Sequence, residues 1–177
     1  MTTALLEAEQ RYLAALLEAI QRCVYFLEAS ARKIVWPLEG AVLEARKKDE
    51  SLFESLAAIN ERFAKLQDTL GAAMRHAIIL FGEPAGSFLK ILSFYEKAGV
   101  IESTESWQLS RAARNLAAHD YEIQYRDIAN HFNTLHELRL PLYYAAGRFI
   151  TLCRDQLGVS PITSDFSNEF AEILRVA

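Results

Sequence analysis

Leu52, Leu56, Ile59, Phe63, Leu66, Leu70 and Ala73 recur at alternating steps of three and four residues, and the pattern continues to Leu80 and Phe81. At about 100° per residue this spacing lays all of these side chains along one face of an α-helix, whereas in a strand it would scatter them to both faces. Glu54, Glu61, Arg62 and Lys65 take the outer side. A helix with so long an apolar stripe must bury it against other helices. The same spacing links Leu5, Tyr12, Leu13, Leu16, Leu17, Ile20, Cys23, Val24 and Leu27, and predicts a first long helix from about Ala4 to Val35.

Breaks between the periodic runs set the remaining elements. Pro37 has no backbone N–H, so the first helix is expected to end or bend near Trp36, with a shorter piece from Pro37 to Arg46. Lys47 to Ser51 is a polar break in which Asp49 or Ser51 can cap the second long helix. The Gly-Glu-Pro-Ala-Gly stretch from Gly82 to Gly86 reverses the chain. A third helix is expected from Ser87 to Lys97, stopped by Gly99. Ser103 then caps a fourth, with Glu105 well placed in its first turn. A fifth is expected from about Tyr125 to Asp155, kinked or split at Pro141. After a loop from Gly158 to Ser164, Asp165 to Val176 form a last short amphipathic helix. These elements predict an all-α, antiparallel up-and-down helical bundle in a single domain over 1–177: a long N-terminal helix and break (1–47), a core bundle (51–155), and a C-terminal loop and helix (156–177).

Composition narrows the function classes. A net charge of -4 argues against a surface that coats nucleic acid indiscriminately, while leaving room for a local basic cleft. Cys23 and Cys153 stand far apart with no Cys-x-x-Cys and no histidine cluster, so they read as buried, reduced thiols and not as a disulfide or zinc framework. His131 and His136 lack carboxylate or thiolate companions at ligand spacing, and no metal site is expected. With no signal-like N-terminus and no apolar run near the ~18 residues of a membrane span, a cytoplasmic protein is expected.

Chemistry concentrates in Arg114-Asn115-Leu116-Ala117-Ala118-His119-Asp120-Tyr121. On a helix Asn115 and His119 share a face, Arg114 lies one ridge over, and Arg111 lies a turn earlier. Arg114 and His119 are five apart, so they meet only if the helix loosens near Ala118 or if a second copy supplies one of them. That favours a symmetric dimer with two fourth helices facing across a twofold axis. Ala112, Ala113, Ala117 and Ala118 leave space around the polar groups. In metal-free RNA cleavage a histidine moves a proton to or from the 2′-hydroxyl or the leaving oxygen, an arginine offsets charge on the phosphorane, and an amide orients a phosphate oxygen. Asp68 and His76, the latter beside Arg75, are further candidates for the cleft. Trp107, Tyr143 and Tyr144 read as core or dimer-seam residues.

The run R-N-L-A-A-H-D-Y resembles the Rx4HxY motif of HepT-like proteins in the HEPN superfamily, and the resemblance covers roughly Ser51 to Asp155. It implies a HEPN-like dimeric bundle and a composite, metal-independent ribonuclease site without cofactors, with Arg114 as phosphate stabiliser, Asn115 as its polar helper and His119 as acid or base. Arg111, Asp68 and Asp120 would line the cleft. It also implies RNA and not DNA as substrate, no membrane partner, and an MNT-type nucleotidyltransferase antitoxin that transfers AMP to Tyr121. Two other readings fit the same residues. One is a noncatalytic subunit of a two-component nucleotidyltransferase that holds a nucleotide or a partner loop. The other is a structural helical adaptor, in which Arg111 and Arg114 merely pair with Glu105 and Asp120.

Overall fold

The computed structural model describes residues 3–116 and 124–176, and among these the secondary structure is entirely helical. The elements are α1 (Thr3–Ala31), α2 (Gly40–Ala45), α3 (Glu50–Leu80), α4 (Phe88–Lys97), α5 (Thr104–Leu116), α6 (Tyr125–Leu157) and α7 (Ser167–Val176). None of the described helices is long and apolar enough to cross a membrane.

The most extensive pairing joins α1 to α3. Near the end of α3, His76 Nε2 donates to Glu9 O at 2.9 Å, and near its middle Arg62 Nη1 donates to Phe26 O at 2.9 Å and Ser30 Oγ at 3.2 Å. Early residues of one helix thus meet late residues of the other, so the pair is antiparallel. The predicted stripe of α3 is the buried one, with Leu52, Leu56, Ile59, Phe63, Leu66, Leu70 and Ala73 all in the core. Each large apolar side chain buried in this way contributes about 1.5–3 kcal/mol relative to exposure. Tyr95 ties α4 to α3 by donating its buried hydroxyl to Met74 O at 2.9 Å, which spares that hydroxyl an unpaired burial.

Local chemistry sets several boundaries as expected. Asp49 caps α3, its Oδ1 accepting from Leu52 N at 2.9 Å, and Ser103 caps α5, its Oγ accepting from Ser106 N at 2.9 Å. Gly99, at φ +72°, closes α4 in the left-handed conformation, and Val100 N then reaches Tyr95 O at 2.8 Å.

Four expectations need correction. The first helix stops at Ala31, short of Val35, because Trp36 folds back, donates Nε1 to Ala31 O at 2.9 Å and stacks on His136 with ring centroids 4.0 Å apart. The following link is pinned from α6. Asn133 accepts from Leu38 N at 2.7 Å and donates to Leu38 O at 2.9 Å, so α2 begins only at Gly40. Of the kink or split expected at Pro141, the split is absent, since α6 continues through it. The proline costs about 3 kcal/mol or more, but Leu142, Tyr143, Ala145, Ala146 and Phe149 just beyond it are all buried, and their burial outweighs that cost. Finally, Leu5 and Tyr12 of the first stripe are half exposed, Tyr12 covering only the edge of the His76 ring.

Two predictions follow from the α2–α6 junction. A Cβ on Gly40 would lie 2.8 Å from the Arg126 backbone, contact that no side-chain rotation relieves. Gly40→Ala should therefore lower stability by about 1–3 kcal/mol, read from urea midpoints. His136 beneath Trp36 has its pKa pushed down to about 4, by burial first and then by the Arg139 guanidinium, with Glu28 opposing. Below pH 6.5 the unfolded chain binds a proton that the folded protein refuses until about pH 4, so stability falls as pH drops through that window. Urea midpoints measured at several pH values should fall more steeply for the wild type than for His136→Phe.

Candidate functional site

Two helices face each other with matched three-four spacing. From α3 come Gln67, Asp68, Gly71 and Arg75, and from α5 come Trp107, Arg111 and Arg114, with Phe88 at the start of α4 closing one side. Together they line a recess of about 70 Å³. Gly71 adds no side chain to it, and a Cβ there would sit at ordinary contact distance, 3.5 Å, from Phe88 and Trp107. Trp107 is a buried wall, and its ring meets Phe88 edge to face with centroids 6.1 Å apart.

The arginines are held in different ways. Arg114 pairs with the Asp68 carboxylate across the two helices. Its side chain is 25% exposed and that of Asp68 64% exposed, so solvent screens the pair. Such a pair is worth no more than about 1 kcal/mol, and its effect is to orient the guanidinium. Arg75 lies over the Phe88 ring at 4.0 Å, where the negative face of the ring steadies a cation. Among the described residues neither Arg75 nor Arg111 has a carboxylate partner. Three arginines and one carboxylate thus line the same recess, a locally positive spot on a chain whose net charge is -4. At the buried end Gln67, 3% exposed, donates Nε2 to Trp107 O at 3.2 Å, while its Oε1 has no hydrogen-bond partner.

Of the residues singled out by sequence, Arg111, Arg114 and Asp68 come together here. Asn115 is exposed and does not line the recess. His119, Asp120 and Tyr121 lie outside the described residues. The carboxylate that Arg114 meets is Asp68 of α3, not Glu105 of its own helix. His76 does not join the cleft, because it faces α1, between Glu9 and Tyr12. Trp107 and Tyr143 are core residues and Tyr144 is half-buried. Gln67 and Arg75 were not foreseen as a pair of site residues. Their signal is a polar set, Gln67, Asp68 and Arg75, spaced around Gly71 at helical intervals beside an otherwise apolar stripe.

A wider cleft of about 780 Å³ opens between α6 and α7, lined by residues such as Gly147, Ile150, Phe170 and Leu174. Its cations are already paired within the cleft, Arg154 with Asp155 at 2.8 Å and Arg148 with Gly99 O at 3.4 Å. No three His, Cys, Asp or Glu side chains among the described residues gather as a metal site.

Asp68→Asn removes the charge that orients Arg114 while costing little burial. Its unfolding free energy should stay within about 1 kcal/mol of wild type in urea titrations. No protein-family model, no curated protein and no solved structure matches this chain.

Proposed function

We propose that the chain is a HepT-like HEPN ribonuclease toxin, active as a cytoplasmic homodimer on RNA and neutralised by a partner nucleotidyltransferase. The observation that supports this reading is the convergence of Arg114, Arg111 and Arg75 at the point where the Arg-x4-His-x-Tyr run begins, with Arg114 oriented by Asp68.

In this reading His119 takes the proton from a ribose 2′-hydroxyl, and the 2′-oxygen attacks phosphorus. The bond to the 5′-oxygen breaks, and the imidazolium of the second copy returns a proton to that leaving oxygen. Arg114 meets the charge that builds on the phosphorane oxygens, and Asn115 orients one of them. The products are a 2′,3′-cyclic phosphate and a 5′-hydroxyl, and no metal enters the reaction. AMP transferred to Tyr121 by the antitoxin would add negative charge and bulk that oppose the binding of RNA.

A second reading is favoured by the same arginines, since guanidinium groups hold a phosphate without any turnover. The chain would then be the nucleotide-binding, noncatalytic subunit of a two-component nucleotidyltransferase.

Purified protein incubated with end-labelled RNA in EDTA separates the readings. The toxin reading expects cleavage to cyclic-phosphate ends, slowed by about 10²–10⁴-fold in His119→Ala. Equal, background-level degradation by wild type and His119→Ala ends it, and nucleotide binding without cleavage selects the second.

A further inference from the structure

We infer that the recess between α3 and α5 is a subsite for a phosphate oxygen cluster that still carries a proton, with Arg75, Arg111 and Arg114 holding the charge and Gln67 Oε1 accepting the P–OH. Only the phosphate-recognition half of the proposed function is needed for this; cleavage is not.

Size decides the class of ligand. Pockets for whole small molecules run from about 300 Å³ upward, and this recess offers about 70 Å³, room for a tetrahedral oxyanion but not for a nucleoside. Charge decides its sign, since three guanidinium groups and a single carboxylate surround the space.

Gln67 decides which oxyanion. Its amide orientation is fixed, because Trp107 O accepts a hydrogen bond and must therefore face the Nε2 donor. The other amide atom, Oε1, is left buried and unpartnered among the described residues in a side chain that lines the recess. A buried acceptor without a donor is costly. An anion that brings its own O–H satisfies it, whereas a fully ionised one turns an oxygen lone pair toward it and is repelled. Inorganic phosphate retains a proton at neutral pH, and a phosphomonoester does so near and below its second pKa of about 6. Sulfate and an internal phosphodiester carry none. The ligand class for this subsite is thus inorganic phosphate or a terminal phosphomonoester, the end of an RNA or a free nucleotide, held in addition to any internal phosphate that Arg114 meets during cleavage.

Calorimetric titration of the full chain at about pH 6, with inorganic phosphate and then sulfate at matched ionic strength, tests this directly. Phosphate should bind about tenfold or more tightly than sulfate. Gln67→Met should erase that preference. Arg75→Gln, a surface change expected to fold normally, should weaken phosphate binding about tenfold. Binding of neither anion, equal binding of both by wild type, or full phosphate affinity in Arg75→Gln overturns the inference. Two further ligands at the same pH distinguish the sources, a short RNA with a 3′-phosphate and a nucleoside 3′-monophosphate, each compared with its 3′-hydroxyl counterpart. A gain from the phosphate only on RNA identifies a strand end, and a gain on both identifies a nucleotide site. A gain on neither overturns the assignment to a monoester. Preference for phosphate with no RNA cleavage would sink the ribonuclease reading alone.

Discussion

The antiparallel contact of α1 with α3 is the constraint from which the other positions in this protein follow. Helices of 29 and 31 residues share an apolar seam, and their polar crossings are local and few. Arg62 reaches the late part of α1, and His76 reaches its early part. Once this pair is laid down, the remaining faces of α3 offer room for α6 on one side and for α4 and α5 on another. The recess then arises where α3 turns polar, because Gln67, Asp68 and Arg75 leave the apolar seam just where α5 crosses it.

Polar groups inside the bundle are placed by pairing. Gln21 accepts from Ser167 Oγ at 3.2 Å, fixing α7 against α1, and Glu28 receives Arg139 at 3.3 Å and the Tyr143 hydroxyl at 3.2 Å. Burial of these groups without partners would cost more than the contacts return, so each pairing also specifies how two helices meet. Gln67 Oε1 and His136 Nδ1 depart from that rule among the described residues, the first in a side chain that lines the recess with three arginines and the second beneath Trp36.

Much of the fold was legible in the chain because short-range rules suffice for it. The three-four stripe of α3, the Asp49 and Ser103 caps and the Gly99 stop all act within a turn or two of helix, so sequence spacing alone locates them. The errors share a different cause. Trp36 ended α1 early by reaching His136, and Pro141 was carried through α6 by neighbours that bury its flanks. Both outcomes depend on residues about a hundred positions away or on packing by several helices, which no local pattern encodes. The site divides in the same way. Arg111 and Arg114 share a face by spacing on one helix, whereas Arg75 and Gln67 belong to another helix and join them only through tertiary contact.

The sequence by itself determined that this chain is helical, where most helices begin and stop, and which short run carries an arginine, an amide, an imidazole and a phenol. Periodicity and capping are properties of neighbouring residues, and the backbone obeys them before any packing occurs. Only the tertiary structure decided that Asp68 would orient Arg114, that Arg75 would rest on Phe88 beside them, and that His76 would turn away to α1. Those outcomes depend on the crossing of helices distant in sequence. The crossing is set by how whole apolar faces interlock and not by any one residue's preference.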